Sequence, residues 1–424
     1  MMTLAQADAA AGTLNGVFWT GTALFFAITA MRGASLCLQR LLLLLRVVMS
    51  GLFALSGHGE GDPRKFVNWL LGPERLLFFS IMLLVLSMTH YHEWTKGWFA
   101  GTMLVLFTLV YFGSAADPNF LKIIGKPDNV PITLMVFLVG FFWWLAFKQA
   151  AENDRRSAQG KPLIEAGSDD KVLVWPDLVY TEMIALVLCT VFLVVWAIFF
   201  RAPLEPPANP SAVPNPSKAP WYFLGLQELL VYFDPWLAGV LLPGLIVVGL
   251  MALPYIDKNP KGNGYYTLTE RPFAIFTFMF GFIVLWVVLI VLGTFLRGPN
   301  WNFFGPYEYW DPHIPAALTN VNLSELFWIH WLGRGLPTAE TAGPYHYIIR
   351  EAPGLVLTAA YFVITPWILK VTVFKGMYKQ LGAARYAVMM VLFTWMALVT
   401  IKMLLRWLLN LKYIVAITEW FFNI

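Results

Sequence analysis

The stretch "PFAIFTFMFGFIVLWVVLIVLGTFL" (residues 272–296) carries no charge and is bracketed by Arg271 and Arg297. About 20 apolar residues in a helix cross the hydrocarbon core of a bilayer, so this stretch reads as a transmembrane span and sets the fold class. A second charge-free run lies at 183–200, and further spans are drawn at 14–31, 38–56, 75–90, 98–115, 130–149, 236–256, 354–374 and 386–407. The chain is 58% hydrophobic and 13% charged, against roughly half and a quarter in soluble domains. The reading is all-α, a polytopic membrane protein with about ten transmembrane helices and one short interfacial helix.

Composition excludes several classes. Two cysteines, Cys37 and Cys189, make no disulfide framework and form no CxxC pair. A net charge of +4 on 424 residues offers no nucleic-acid surface. The opening "MMTLAQADAAAGTLNG" lacks a positive n-region, so no cleavable signal peptide is expected.

Short loops rich in Lys and Arg mark the cytoplasmic side. Alternating ten spans places 149–177, 257–271 and 375–385 together, with Arg155, Arg156, Lys161, Lys171, Lys258, Lys261, Arg271, Lys375, Lys379 and Arg385. The opposite side receives 201–235 and 297–353, which are rich in proline and aromatics. Before residue 130 the bias disappears, because Arg64, Lys65, Arg75, Lys122 and Lys126 fall outside.

The polar stretch "FKQAAENDRRSAQGKPLIEAGSDDK" (147–171) reads as a linker. The chain accordingly divides into an N-terminal five-helix block (1–149), a cytoplasmic linker (150–171), a segment at 172–298, an outer aromatic loop (299–353), and C-terminal helices with an anchor (354–424). No repeat relates the halves, which weighs against a two-repeat transporter.

Between two spans runs "PLEPPANPSAVPNPSKAPWYFLGLQELLVYF" (203–233). Its seven prolines, from Pro203 to Pro220, fix their own φ and bias each preceding residue toward extended backbone. The result is a stiff strap across the outer surface. Pro220 is placed to start an amphipathic helix from Trp221 to Phe233 that lies along the interface. An aromatic belt alone would account for the Trp and Tyr, but not for the strap that leads into them.

Trp175-Pro176-Asp177 opens one span, "PLEPPANP" follows it, and a Pro-Trp-Tyr motif (220–222) starts the surface helix. Then come "GVLLPGLIVVGLMALPYID" (239–257) and "ERPFA" (270–274). In this order the pieces resemble the C-terminal half of cytochrome b, and especially subunit IV of the photosynthetic cytochrome complex, over about 172–298. The resemblance implies helices E, F and G and an outer quinone pocket bordered by Pro220, Trp221, Tyr222, Phe223 and Leu224. Its walls are expected from the spans at 178–200 and 236–256. The cofactor implied is a quinone, ubiquinone or menaquinone.

The family's proton-accepting Glu falls where this sequence has Pro220, which cannot titrate. Glu228 is the substitute by geometry. It stands seven residues after Trp221, two helical turns and about 10 Å along the same face. Glu182 is the second candidate, near the cytoplasmic end of its span.

The histidines are His58, His90, His92, His313, His330 and His346, with no two at the 13- or 14-residue spacing that clamps haem in the family. Haem b is therefore expected on a partner chain resembling the N-terminal half of cytochrome b. A Rieske-type iron–sulfur protein and a c-type cytochrome are the other partners implied. The outer loop "GPNWNFFGPYEYWDPHIP" (298–315) suits the docking of such a carrier, or a rigid cap over the helix ends. The expected function is a non-haem-bearing subunit of a bc-type quinol:acceptor oxidoreductase. The alternatives are an architectural subunit with a retired pocket, and a transporter.

Overall fold

The computed structural model describes residues 63–424, apart from 168–170, 201–206, 208, 212, 259–266, 312 and 314–319. The spans expected at 14–31 and 38–56, and Cys37, Arg46, His58, Pro203 and Pro206, lie outside the described residues.

Helix α1 (Pro63–Leu70) meets α2 (Pro73–Thr89) at a bend of 75°. Then follow α3 (Gly97–Ala116), the short α4 (Pro118–Ile124), α5 (Pro127–Ala158) and α6 (Val174–Phe199). After the strap come α7 (Trp221–Leu229), α8 (Leu237–Ile256), α9 (Pro272–Phe295) and α10 (323–331). The chain ends with α11 (His346–Val371), α12 (Lys375–Leu381), α13 (Ala383–Leu409) and a hairpin of β1 (Ala416–Ile417) and β2 (Phe422–Asn423). Seven of these helices are long and apolar enough to cross a membrane, and α1–α2 makes an eighth if the bent pair is one span. The protein is an all-α polytopic membrane protein.

Prolines open α1, α2, α4, α5 and α9, where the first turn has no use for the missing amide hydrogen. The core lies where α2, α9 and α13 meet. Leu77 and Leu84, two turns apart on one face of α2, are buried with Val284, Leu289 and Leu292 of α9 and Met403 of α13. Lipid is as apolar as leucine, so close van der Waals fit rather than hydrophobic transfer holds such helices together. Glycines supply part of that fit, as at Gly293.

Two poles follow from the contacts, named inner and outer after the orientation expected from the loop charges. At the inner pole, Asp154 of α5 accepts the hydroxyl hydrogens of Tyr91 at 2.8 Å and Thr269 at 2.7 Å, and the amides of Leu268 and Thr269. Arg385 donates to the Tyr255 carbonyl at the same pole. At the outer pole, Asn68 Oδ1 accepts the Tyr307 amide and the Ser114 and Tyr307 hydroxyls lie 2.7 Å apart. The N-terminal helices are thus clamped to the remainder at both ends.

Three regions hold structure that the sequence did not show. The linker drawn at 150–171 is helical as far as Ala158, with Asn153 and Asp154 buried. Charge in that sequence does not mark the end of the helix. The outer loop at 299–353 holds α10, tied to α11 by the Trp328 indole donating to the Arg350 carbonyl. The C-terminal run beyond Asn410, within the segment expected to hold an anchor, folds back into the outer pole. Val415 and Ala416 are buried, Arg350 grips Glu419, and Glu351 accepts the Ala416 amide. Lys402 of α13 is also fully buried, donating to the Lys412 carbonyl between the rings of Phe233 and Tyr413.

Candidate functional site

The strap ends at Pro220, whose carbonyl accepts the Phe223 amide and starts α7. Proline offers no side-chain cap. Gln227, nearly two turns inside the helix, instead ties the strap back onto it: its Oε1 accepts the Ala219 amide at 2.7 Å and its Nε2 donates to the Ser217 carbonyl at 2.8 Å. Asn215 is pinned separately, accepting the Asn300 amide at 2.6 Å and donating to Asn300 Oδ1 at 3.2 Å.

Helix α7 lies directly on the outer end of α9. A methyl group added to Gly293 would sit 3.2 Å from the Leu224 carbonyl oxygen, and one on Gly225 would sit 3.3 Å from Ile290. Two glycines therefore permit the approach. Leu224, Gly225, Glu228 and Leu229 are buried in this seam.

Glu228 is fully buried. Its carboxylate receives Arg297 Nη2 at 2.5 Å and Nε at 3.0 Å, the Tyr232 hydroxyl at 2.8 Å, and the Trp301 indole at 2.9 Å. Arg297 spends its remaining Nη1 on the Trp301 carbonyl. Burial, then the Glu228 charge, hold the Tyr232 phenol well above its usual range, so it remains a donor. Asn300 and Trp301 both adopt positive φ, at 53° and 59°. Asparagine tolerates this, but a bulky residue there is strained, by about 1–3 kcal/mol. The two bonds that Trp301 makes with the Glu228–Arg297 pair oppose that strain.

The sequence-derived candidates separate across α7. Pro220, Tyr222 and Phe223 are exposed on the free side, Tyr222 and Phe223 with centroids 4.6 Å apart, and Trp221 is half-buried edge-on to Tyr222. Leu224 and Glu228 face the other way, into α9. Glu182 is exposed on α6.

Of the two spans expected to shape the pocket, 178–200 and 236–256, the first lies in α6, no residue of which is buried within this chain. A helix that is apolar all round has no face to dictate a partner within its own chain. Sequence reasoning missed Arg297, Trp301, Tyr232 and Gln227. Arg297 stood out as the charge that ends a span, and that was the one signal available, since nothing local names its partner. Among the described residues no three His, Cys, Asp or Glu side chains gather into a metal site.

Residues 207–306 match the family model described as Cytochrome b(C-terminal)/b6/petD. The match supports the family resemblance over just under a quarter of the chain. It takes in the strap's end, α7, α8, α9 and the Arg297–Trp301 turn. No solved structure matches the chain significantly.

Proposed function

We propose that this chain is the non-haem-bearing membrane subunit of a bc-type quinol:electron-acceptor oxidoreductase, lining a quinone pocket at the outer face of a bacterial-type cytoplasmic membrane. One observation carries the reading: α7 is locked to α9 from beneath while Tyr222 and Phe223 project from its free side. An exposed pair of adjacent aromatic rings on a rigid helix suits an apolar ring. The segment matched to the cytochrome b C-terminal family contains this helix.

Pro220, Trp221, Tyr222 and Phe223 would border the ring, and the exposed apolar side chains of α8, such as Val240 and Val247, would meet its isoprenoid tail. A bound quinone supplies two-electron, two-proton redox chemistry. The chain's own part is to hold the aromatic pair in place and keep water from the ring. Leu224 supports the roof from below, and Glu228 with Arg297 fixes its position. Haem b on a cytochrome b N-terminal-like chain, a Rieske-type protein and a c-type cytochrome complete the proposed assembly. The exposed α6 is free to face lipid or the haem-bearing chain.

A second reading has its own observation. Pro220 cannot accept a proton, and every donor around Glu228 is already engaged with its carboxylate. That favours an architectural subunit whose pocket holds quinone without oxidising it.

The test is to purify the complex that contains this chain, record its dithionite-reduced spectrum and extract its quinone. The reading predicts b-type haem bands on a partner chain and retained quinone that drops in Tyr222→Ala. A complex with neither haem nor quinone would overturn it.

A further inference from the structure

The C-terminal hairpin turns its charge inward and its aromatic rings outward. Glu419 takes two hydrogen bonds from Arg350, at 3.0 and 2.9 Å, and Glu351 accepts the Ala416 amide at 2.9 Å. The backbone of Ile424 pairs with that of Ile414 and Val415. At the tip between β1 and β2, by contrast, Trp420 is 66% exposed and Phe421 is 85% exposed. Phe421 stands at φ 51°, a left-handed backbone in which a bulky residue is strained. The clamp behind the tip holds that strain and keeps both rings off the protein.

Two ring contacts give the level of the tip. Phe422 stacks on Trp236, the residue before α8, with centroids 5.7 Å apart. Trp420 lies 5.2 Å from Tyr347, in the first turn of α11. Asp234 adds a third tie, accepting from the Asn423 side chain at 3.3 Å and from the Tyr413 hydroxyl at 3.1 Å. The tip therefore stands where two spans leave the bilayer, and Val240 of α8 with Ile348 and Ile349 of α11 are exposed apolar chains just inside that level. We propose that Trp420 and Phe421 form an interfacial peg, sunk into the headgroup–acyl boundary of the outer leaflet, that fixes the depth of α8 and α11. Lipid is the occupant because the tip joins the exposed apolar surface of two spans at the depth aromatic rings favour. The one charge at the tip, Glu419, is already spent on Arg350. The peg acts whether or not a quinone is bound.

The experiment places the purified intact complex in phosphatidylcholine nanodiscs, with Cys37→Ser and Cys189→Ser in the chain and a nitroxide attached at Phe421→Cys. The same complex without the introduced cysteine supplies the background, and Glu340→Cys, exposed in the outer loop, supplies the reference for water. Collisions of the label with oxygen, which concentrates in hydrocarbon, are compared with collisions with a water-soluble nickel chelate. The peg predicts an oxygen-to-nickel ratio at residue 421 several-fold above that at residue 340. A ratio equal to that at residue 340 puts the tip in water, and few collisions with either agent put it beneath a partner chain; each result overturns the proposal. Hydrogen exchange at the Ala416 amide checks that the hairpin stays closed. Should Phe421→Cys open it, a label at Trp420→Cys answers the same question with the Phe421 ring in place.

Discussion

Glu228 and Arg297 are 69 residues apart in the chain and 2.5 Å apart in space, both buried beneath the outer helix α7. The pair joins the lid to the end of the span beneath it. Removing two charges from water is costly, and the pair compensates only because Tyr232 and Trp301 complete its hydrogen bonds. It determines where α7 sits.

Breaking one half of this pair should be severe. Arg297→Ala leaves the Glu228 carboxylate buried without its cation, a loss of about 3–5 kcal/mol. Replacing both partners with methionine should recover much of it, since no charge is then stranded. Thermal unfolding of the detergent-solubilised complex checks this, and equal losses in the single and double variants would contradict it.

Tyr222 and Leu224 should separate binding from stability. Tyr222 is exposed, so Tyr222→Ala should change stability by no more than about 0.5 kcal/mol while lowering retained quinone. Leu224 is 3% exposed, and Leu224→Ala should cost about 2–5 kcal/mol. Paired melting curves and quinone extractions read both.

The crossing at Gly293 leaves no room for a side chain larger than a methyl group. Gly293→Ala needs the Leu224 carbonyl to shift by a few tenths of an ångström and should be tolerated. Gly293→Ile has no such escape and should lift α7 from α9. Faster proteolysis in the strap, with loss of quinone, is the expected result for Gly293→Ile alone.

Acid should release the C-terminal hairpin. Hydrogen bonds from Arg350 hold the Glu419 carboxyl down to about 2, against an ordinary 4.5. A carboxylate whose pKa falls on folding adds stability above 4.5, and that stability is lost as pH drops from 4.5 toward 2. Hydrogen exchange at residues 411–424 should therefore accelerate over that window, and Glu419→Gln should exchange quickly at every pH.

At the inner pole, Asp154→Leu strips Tyr91, Thr269 and two amides of their acceptor at once. Each buried donor left unmet costs about 1–3 kcal/mol. The seam between α5 and the start of α9 should loosen, seen as new proteolysis near residues 257–271 with the outer roof unaffected.

The sequence alone determined that this is a many-helix membrane protein, where most of its spans lie, that a stiff proline strap leads into a short aromatic helix, and which family the segment resembles. Those properties are local: run length, charge-free stretches and fixed φ angles need no partner to be read. The tertiary structure decided which way each residue on that helix faces. Periodicity placed Glu228 on a face with Trp221, but only the approach of α9 through Gly225 and Gly293 turns it inward onto Arg297 and leaves Tyr222 and Phe223 outside. The same holds for Lys402, which reads as one charge in an apolar run and is enclosed by Phe233, Lys412 and Tyr413 from distant segments. In a bilayer the apolar pattern tells a helix to cross but does not select its neighbours, so close packing and paired polar groups choose them.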